Sequence, residues 1–258
     1  MSNNIERDYS YTNKDLELYE SRLPNFKQGW VNPIEIRFLD ILENIPINNR
    51  GDIIEIGVYY GQFAIALNMT AKKNEEIVLV DIWNKQYKNV SQSGVISEDL
   101  GDMQEFMKNQ FEKYDTVNMG RNIRCIESDS LDLRPKDVGA KKYKYFSIDG
   151  GHHKEHVMND LKLAENGITK EGIVILDDFY SRYFLGVTEG LFNYKSSGGS
   201  LVPVALCGGK LYLCNYSAYP VWKKHLTNLG VRCKIDTLLG YEVVHILGEK
   251  FGVINDTC

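Results

Sequence analysis

The chain has 258 residues, of which 43% are hydrophobic and 25% charged, and this suits one generous globular domain with attachments. Its net charge of −5 provides no global field that would attract nucleic acid. No apolar stretch approaches the roughly 20 residues of a membrane-spanning helix, and the polar start does not resemble a targeting peptide. The five cysteines form no C-x-x-C pair, which predicts reduced thiols in a cytoplasmic protein.

Residues 1–50 are predicted to form a helical arm or cap, and residues 51–258 the main domain. Pro33 can open a helix, because the first helical position needs no N–H partner. Apolar residues at helical spacing continue this helix to Glu43, and Pro46 ends it.

From Gly51 onward, short apolar strands alternate with helices. Strands are predicted at 53–57, 77–82, 123–126, 143–148 and 172–176, and helices at 62–72, 102–114 and 154–166. This alternation predicts a parallel sheet with helices on both faces. Residues 84–101 are polar and too long for an ordinary connection, so we expect them to close over a site. The lysines at 141, 142 and 144 are interpreted as a solvated start of a strand.

The carboxyl-terminal part has a different pattern. Predicted strands at 201–206 and 210–215 flank Cys207-Gly208-Gly209, which is a hairpin signal. A helix at 221–229 and a strand pair at 231–236 and 241–247 follow. The predicted fold is therefore an α/β, Rossmann-like sheet whose parallel strands end in an antiparallel hairpin.

The segment Glu55-Ile56-Gly57-Val58-Tyr59-Tyr60-Gly61 follows a strand and opens a helix. Glycines at 57 and 61 let the backbone turn tightly and approach a ligand. The spacing differs from the G-x-G-x-x-G of dinucleotide enzymes, whose pyrophosphate binds at a helix start. Glu55 can instead face the ammonium group of a methionine-derived cofactor, and Tyr59 is a further predicted contact. A glycine-rich turn without a ligand is the alternative.

Acidic residues also follow the next two strands. Asp81, beside Ile82, lies where a carboxylate accepts hydrogen bonds from ribose hydroxyls. Asp129, beside Ser130, falls where the adenine edge would lie. All four residues are predicted cofactor contacts, and the alternative for each aspartate is a simple turn cap.

Residues 50–215 resemble the class I methyltransferases, specifically the macrocin-type sugar O-methyltransferase group. The most specific part is Ser147-Ile148-Asp149-Gly150-Gly151-His152 through Asp160-Leu161, followed by Leu176-Asp177-Asp178-Phe179. The resemblance implies S-adenosyl-L-methionine as cofactor, with Asp149 among its contacts, and a sugar or sugar-like hydroxyl as acceptor. It also implies Mg²⁺ held by Asp149, Asp177 and Asp178. The stretch after Phe179 departs from the family pattern, which leaves the acceptor open.

The positions of the three aspartates support a shared site independently. Asp149 follows the fourth strand and Asp177 and Asp178 the fifth, at carboxyl ends beside a topological switch. Three carboxylates in one pocket repel one another unless a cation or proton intervenes, and hard oxygen ligands favour Mg²⁺, Mn²⁺ or Ca²⁺. Adjacent strand residues point to opposite faces, so Asp177 and Asp178 converge only if the chain turns there. Otherwise one is a cap and the other a surface charge.

His152 is predicted to act as a general base or to orient Asp149, which it follows by three residues. Two adjacent histidines diverge in direction and no cysteine is nearby, so a zinc site is not predicted. His153 and His156 are expected on a solvated helix face.

The predicted reaction is direct methyl transfer to an acceptor hydroxyl. The alternatives are a metal-independent N- or O-methyltransferase of a small metabolite or phosphorylated compound, and a non-catalytic cofactor-binding subunit. A nicotinamide-dependent dehydrogenase is disfavoured by the missing G-x-G-x-x-G and the antiparallel tail. A homo-oligomer, with the arm packed across a neighbouring subunit, is left open.

Overall fold

The computed structural model describes residues 13–25, 29–88, 102–118, 122–229 and 231–247. Within these ranges the helices are α1 (Asn13–Arg22), α2 (Pro33–Asn44), α3 (Gln62–Met69), α4 (Met103–Tyr114), α5 (Pro135–Val138), α6 (Lys154–Gly167), α7 (Leu185–Ser196) and α8 (Tyr219–Leu226). The strands are β1 (Asp52–Ile56), β2 (Ile77–Asp81), β3 (Ile123–Glu127), β4 (Tyr143–Ile148), β5 (Ile168–Leu176), β6 (Val202–Cys207), β7 (Lys210–Cys214), β8 (Cys233–Leu238) and β9 (Tyr241–Ile246).

The described strands form one nine-stranded sheet in the order β3-β2-β1-β4-β5-β7-β6-β9-β8. Strands β1 to β5 are parallel, and β7 runs antiparallel between β5 and β6. The order reverses between β1 and β4, so a crevice opens at the carboxyl ends of these two strands. The predicted parallel sheet with an antiparallel hairpin is confirmed.

Apolar residues cover both faces of the sheet. Ile53 and Ile54 are adjacent on β1 but belong to two different core clusters, because successive strand residues point to opposite faces. Helices α1 to α4 and α8 contribute to the first cluster, and α5, α6 and α7 to the second. The prediction of helices on both faces is therefore confirmed.

Helix α2 begins as its sequence predicts. Pro33 occupies the first turn, and Asn32 caps the helix by accepting a hydrogen bond from the Ile34 N–H at 3.1 Å. Phe38 and Leu39 are fully buried in the same core cluster as the sheet. The described part of the arm thus packs on the main core, and a domain boundary at residue 50 stays a prediction.

Three elements differ most from the sequence-based expectation. Strand β5 begins at Ile168 rather than at 172, and the short helix α5 and helix α7 were not predicted. Gly186 and Gly190 lower the intrinsic helix propensity of α7. They are needed for close packing, because a Cβ on Gly190 would lie 2.6 Å from Val157 Cβ on α6. Tertiary packing therefore stabilises a helix that local propensity disfavours.

Three further expectations concern the cysteines, the predicted closing segment and membrane-spanning helices. Cys125, Cys207 and Cys214 are free thiols, but Cys233 is disulfide-bonded, so the prediction of reduced cysteines is wrong at that position. Residues 89–101 of the predicted closing segment lie outside the described residues. Among the described residues, no helix combines the length and apolar character needed to span a bilayer.

Lys144 is not part of a solvated strand start. Its side chain is fully buried, and its Nζ lies 3.1 Å from Glu75, 3.4 Å from Glu43 and 2.7 Å from the carbonyl oxygen of Thr70. Two carboxylates contributed by other elements compensate the lysine charge at the amino-terminal end of β4, an arrangement that the local sequence does not reveal.

Replacing Lys144 with Met should lower the free energy of unfolding by about 3–5 kcal/mol, because two buried carboxylates lose their cation. Urea denaturation at neutral pH measures this. Lys142→Met is the control, since Lys142 is a third exposed and pairs with Asp52 at 3.0 Å. Its loss should be under about 1 kcal/mol. Equal losses in the two variants would contradict the assignment of a buried ion cluster.

Candidate functional site

The carboxyl ends of β1 and β4 meet at Gly57. This residue has φ of +83°, and a Cβ built on it would lie 1.9 Å from the Asp149 carbonyl oxygen. The Asp149 N–H donates to the Ile56 carbonyl at 2.7 Å. Only glycine allows this approach, so Gly57 brings the predicted cofactor loop against Asp149. Gly61 also has φ of +83° and forms the start of α3.

Asp81 is buried beneath the loop at the end of β1. Its Oδ2 accepts hydrogen bonds from the Val58 N–H at 2.7 Å and the Tyr59 N–H at 2.8 Å, and its Oδ1 accepts one from the Trp83 N–H. Burial raises its pKa, and these backbone donors oppose the increase. Asp81 therefore holds the loop in place, and direct ribose binding stays a prediction.

Two aromatic residues, Trp30 and Tyr59, pack together beside the loop that follows β1. Tyr59 has φ of 49°, a left-handed conformation, and its ring stacks on Trp30 with centroids 5.2 Å apart. Trp30 is 73% exposed, whereas Trp83 is fully buried and belongs to the core. Ile82 is half-buried beside Asp81.

Glu55 lies inside the sheet rather than in open contact with solvent. It is 2% exposed, and its Oε1 accepts a hydrogen bond from the Ser147 hydroxyl at 3.1 Å. Burial, and after it the charge of Asp149, raises its pKa well above the ordinary value. Its contact with the ammonium group of a cofactor stays a prediction.

Asp129 and Ser130 follow β3. The Asp129 carboxylate accepts a hydrogen bond from the Leu131 N–H at 3.0 Å and lies 3.4 Å from His156 Nε2. The side chain of His156 is 15% exposed, so its expected place on a solvated face is wrong. Asp160, in the motif after β4, is fully buried, and burial raises its pKa to about 7.

Asp149, His152 and Asp178 form the central cluster of the site. His152 Nε2 lies 3.2 Å from Asp178 Oδ2 and 3.8 Å from Asp149 Oδ1. One potential ligand atom from each of the three residues lies within 4.8 Å of the others. Asp178 has φ of 55°, so the chain turns after β5, as convergence of adjacent aspartates requires. Two carboxylates and an imidazole fit a divalent cation with mixed oxygen and nitrogen ligands.

Protonation assigns different roles to these residues. Burial, and then the charge of Asp177, raises the pKa of Asp149 to about 7. Burial disfavours the charged form of His152, but Asp149 and Asp178 outweigh it and raise its pKa to about 9. A protonated imidazole cannot accept a proton, so near pH 7 and without a metal His152 suits orientation, and Asp149 suits general base catalysis.

Asp177 lies toward the other side of the turn. Its Oδ2 contacts the Lys210 ammonium, and its Oδ1 accepts a hydrogen bond from the Asp178 N–H at 2.7 Å. Burial opposes ionisation, but Lys210 lowers the pKa of Asp177 below its ordinary value. Asp177 is thus compensated by a protein cation, and its role as a metal ligand stays a prediction.

Lys210 and Glu35 were missed by sequence reasoning. The side chain of Lys210 is 2% exposed, and its Nζ lies 3.9 Å from Glu35 Oε2 and 4.4 Å from the centroid of the Phe63 ring. Burial raises the pKa of Glu35 to about 7, although Lys210 opposes the increase. The available signal was a charged residue within an apolar run, Ile34-Glu35-Ile36 and Lys210-Leu211-Tyr212.

A pocket of about 370 Å³ adjoins the cluster where β5 leads into α7. Its lining includes His152, Tyr183, Phe184 and Leu185. The Phe184 ring stacks on the His152 imidazole with centroids 3.9 Å apart. Tyr183 is 72% exposed and Leu185 73% exposed, and the pocket combines these apolar side chains with the charged side chains of Lys154, Glu155 and Glu189.

Residues 54–179 match a family model described as a methyltransferase domain. No curated protein matches the chain. The solved structure of the O-methyltransferase NovP is similar, with 16% identity over 78% of this chain and 79% of that chain and a TM-score of 0.51. A TDP-rhamnose 3'-O-methyltransferase of calicheamicin biosynthesis, CalS11, has 14% identity over 79% and 93% of the two chains and a TM-score of 0.50.

A protein from Corynebacterium glutamicum has 12% identity over 79% of this chain and 90% of its own, with a TM-score of 0.51. At such identities the likeness establishes the fold, which is the predicted Rossmann-like fold of class I methyltransferases. The matched segment is similar to methyltransferase domains, and the chain is an enzyme, as predicted.

His152 should stabilise the folded protein in a pH-dependent manner. Its pKa is about 9 in the folded state against an ordinary value of 6.5. Its contribution is therefore complete below about pH 6.5 and is lost as the pH rises through 9. Urea unfolding in EDTA should show that His152→Gln costs more stability at pH 6 than at pH 10. A cost independent of pH would rule out the charged contacts with Asp149 and Asp178.

Proposed function

We propose that this protein is an S-adenosylmethionine-dependent O-methyltransferase that acts on a hydroxyl of a sugar or related small molecule, with a divalent metal assisting. The observation that carries the proposal is the junction of Gly57 with Asp149. It joins the loop of the matched methyltransferase domain to a cluster that contains a carboxyl group with a pKa of about 7.

The cofactor is proposed to bind across the carboxyl ends of β1 to β4. Gly57 and Gly61 carry no side chain that would keep a ligand away from the loop backbone. Asp81 fixes the Val58 and Tyr59 amides. Asp129 and Ser130 lie after the neighbouring strand, where the adenine end would reach them. A loop that is already fixed lowers the entropic cost of binding the cofactor. A cofactor held in one position then contributes to the rate of methyl transfer.

Without a metal, Asp149 is proposed to remove the proton from the acceptor hydroxyl, since its pKa then lies near neutrality. His152 holds Asp149 and Asp178 in place by contacts at 3.8 and 3.2 Å. A divalent cation held by Asp149, His152 and Asp178 would supply a Lewis acid that favours the deprotonated acceptor. The mixed imidazole and carboxylate set suits Mn²⁺ as well as Mg²⁺.

The acceptor is proposed to enter through the pocket beside Phe184. This ring already packs on His152, so a molecule in the pocket lies next to the cluster. The apolar face of a sugar ring can pack against Phe184 and Tyr183, while its hydroxyls reach polar side chains. NovP and CalS11 are O-methyltransferases of the same fold, and CalS11 acts on TDP-rhamnose.

A metal-independent methyltransferase is the second candidate function. Lys210 favours it, because this buried ammonium already compensates Asp177 without an external ion. Methyl transfer that persists unchanged in EDTA would select this candidate, whereas loss of turnover in EDTA and its recovery with Mn²⁺ or Mg²⁺ would select the metal-assisted enzyme.

S-adenosylmethionine should bind with micromolar affinity, and NAD should not bind, in calorimetric titrations of the purified protein. Asp81→Asn should weaken binding of the methyl donor about tenfold, because an amide cannot accept all three backbone hydrogen bonds. Asp52→Asn is the matched control: Asp52 accepts the Glu76 N–H at 2.9 Å at the opposite end of β1. NAD binding in place of S-adenosylmethionine would disprove the proposed function.

Phe184→Leu should raise KM for the acceptor about tenfold with a smaller change in kcat, because the variant loses apolar contact with the bound ring. An acceptor identified by screening sugars and nucleotide sugars is required for this assay. Phe192→Leu is the control, since Phe192 lies on α7 and is 43% exposed. An unchanged KM in Phe184→Leu would show that the acceptor does not bind in this pocket.

A further inference from the structure

We infer that Lys210, supported by Glu35, is a positioning residue of the candidate active site: it fixes Asp177 so that Asp178 turns toward His152. A role of Lys210 in catalysis rests on the proposed function, but its effect on the positions of Asp177 and Asp178 does not. It assigns a functional role to helix α2 and to the β6–β7 turn, which sequence reasoning had treated as a cap and a hairpin.

The first step is the contact between Lys210 and Asp177. The ammonium contacts Asp177 Oδ2, and the lysine side chain is only 2% exposed against 20% for Asp177, so little solvent reaches the ammonium of this ion pair. The aromatic face of Phe63, 4.4 Å from Nζ, contributes a cation–π contact on the ammonium. The lysine is therefore confined, and it confines the carboxylate that it contacts.

The second step links Asp177 to the cluster. Its other oxygen, Oδ1, accepts a hydrogen bond from the N–H of the next residue, Asp178, at 2.7 Å. Asp178 has the left-handed φ of 55°, a conformation that an aspartate adopts at a cost and that neighbouring contacts must stabilise. With Asp177 fixed, the side chain of Asp178 is directed to His152 Nε2 at 3.2 Å.

The third step is the support of Lys210 from α2. Glu35 Oε2 lies 3.9 Å from Nζ, and its Oε1 accepts the Gly209 N–H at 3.1 Å. The Gly209 carbonyl in turn accepts the Phe179 N–H at 3.1 Å. The turn before Lys210 is thus attached to α2 on one side and to the segment after Asp178 on the other.

One consequence concerns the ligand of the site. Lys210 compensates Asp177 from within the protein, which leaves Asp149, His152 and Asp178 to face an external group. The external cation is therefore expected at these three residues, and Asp177 acts on it only through the position of Asp178.

The test compares Lys210→Met with Lys144→Met. Lys144 is the matched control, because it is fully buried between two carboxylates at the opposite end of the sheet. Amide hydrogen exchange of the full chain is measured in EDTA. The amides of Asp178 and Gly209 should exchange at least about tenfold faster in Lys210→Met than in Lys144→Met, with S-adenosylmethionine affinity within about twofold of wild type in both variants.

A double variant establishes whether Lys210 acts through Asp177. Adding Lys210→Met to Asp177→Asn should change Asp178 exchange by less than about twofold, because the ion pair is already absent. The double variant also removes the Asp177 charge that Lys210→Met alone leaves unpaired, so it keeps the test valid if Lys210→Met does not fold. A full tenfold effect in the Asp177→Asn background would overturn the inference, as would equal exchange in the two lysine variants.

Mn²⁺ binding, measured by electron paramagnetic resonance, separates this inference from the proposed function. Where wild type binds Mn²⁺, Lys210→Met should bind it at least about tenfold more weakly and Lys144→Met should not. Absence of Mn²⁺ binding in wild type rejects the metal-assisted function, and the exchange data still decide the role of Lys210. Unchanged Mn²⁺ affinity in Lys210→Met would overturn its positioning role.

Discussion

Repulsion among carboxylates at the carboxyl ends of β1, β4 and β5 is the constraint on which the rest of the site depends. Glu55, Asp149, Asp177 and Asp178 approach one another there, and charged groups of like sign in a poorly solvated place cannot all remain ionised without compensation. Burial and the charge of Asp149 raise the pKa of Glu55, and cationic side chains contact Asp177 and Asp178. Asp149 is left with a pKa of about 7, the value that a general base requires.

This compensation unites parts of the chain that are distant in sequence. Lys210 comes from the antiparallel hairpin, Glu35 from the amino-terminal helix α2, and His152 from the loop after β4. Buried ion pairs contribute little net stability, but they fix geometry when each partner is held by further hydrogen bonds. The arrangement therefore favours a defined site geometry over maximal stability of the core. Lys144 is a second buried lysine paired with carboxylates, and it lies away from the site.

Much of the fold could be predicted from the sequence. Strand-length apolar runs closed by glycine or aspartate gave the parallel strands, and Cys207-Gly208-Gly209 gave the hairpin, because these patterns express local backbone preference and burial. Helix α7 could not be predicted in this way. Gly186 and Gly190 reduce its local propensity, and only contact with α6 makes glycine the residue that fits.

The sequence by itself determined which residues end adjacent parallel strands, since chain order and strand period place Glu55, Asp81, Asp149 and Asp177 at one edge of the sheet. It also determined that Asp177 and Asp178 converge only if the chain turns between them, and the structure supplies that turn. Only the tertiary structure decided how each carboxylate is used. Asp81 holds the loop, Asp177 pairs with Lys210, and His152 joins Asp149 and Asp178. The reason is physical: protonation and pairing depend on burial and on charges within a few ångströms, and residues far along the chain supply both.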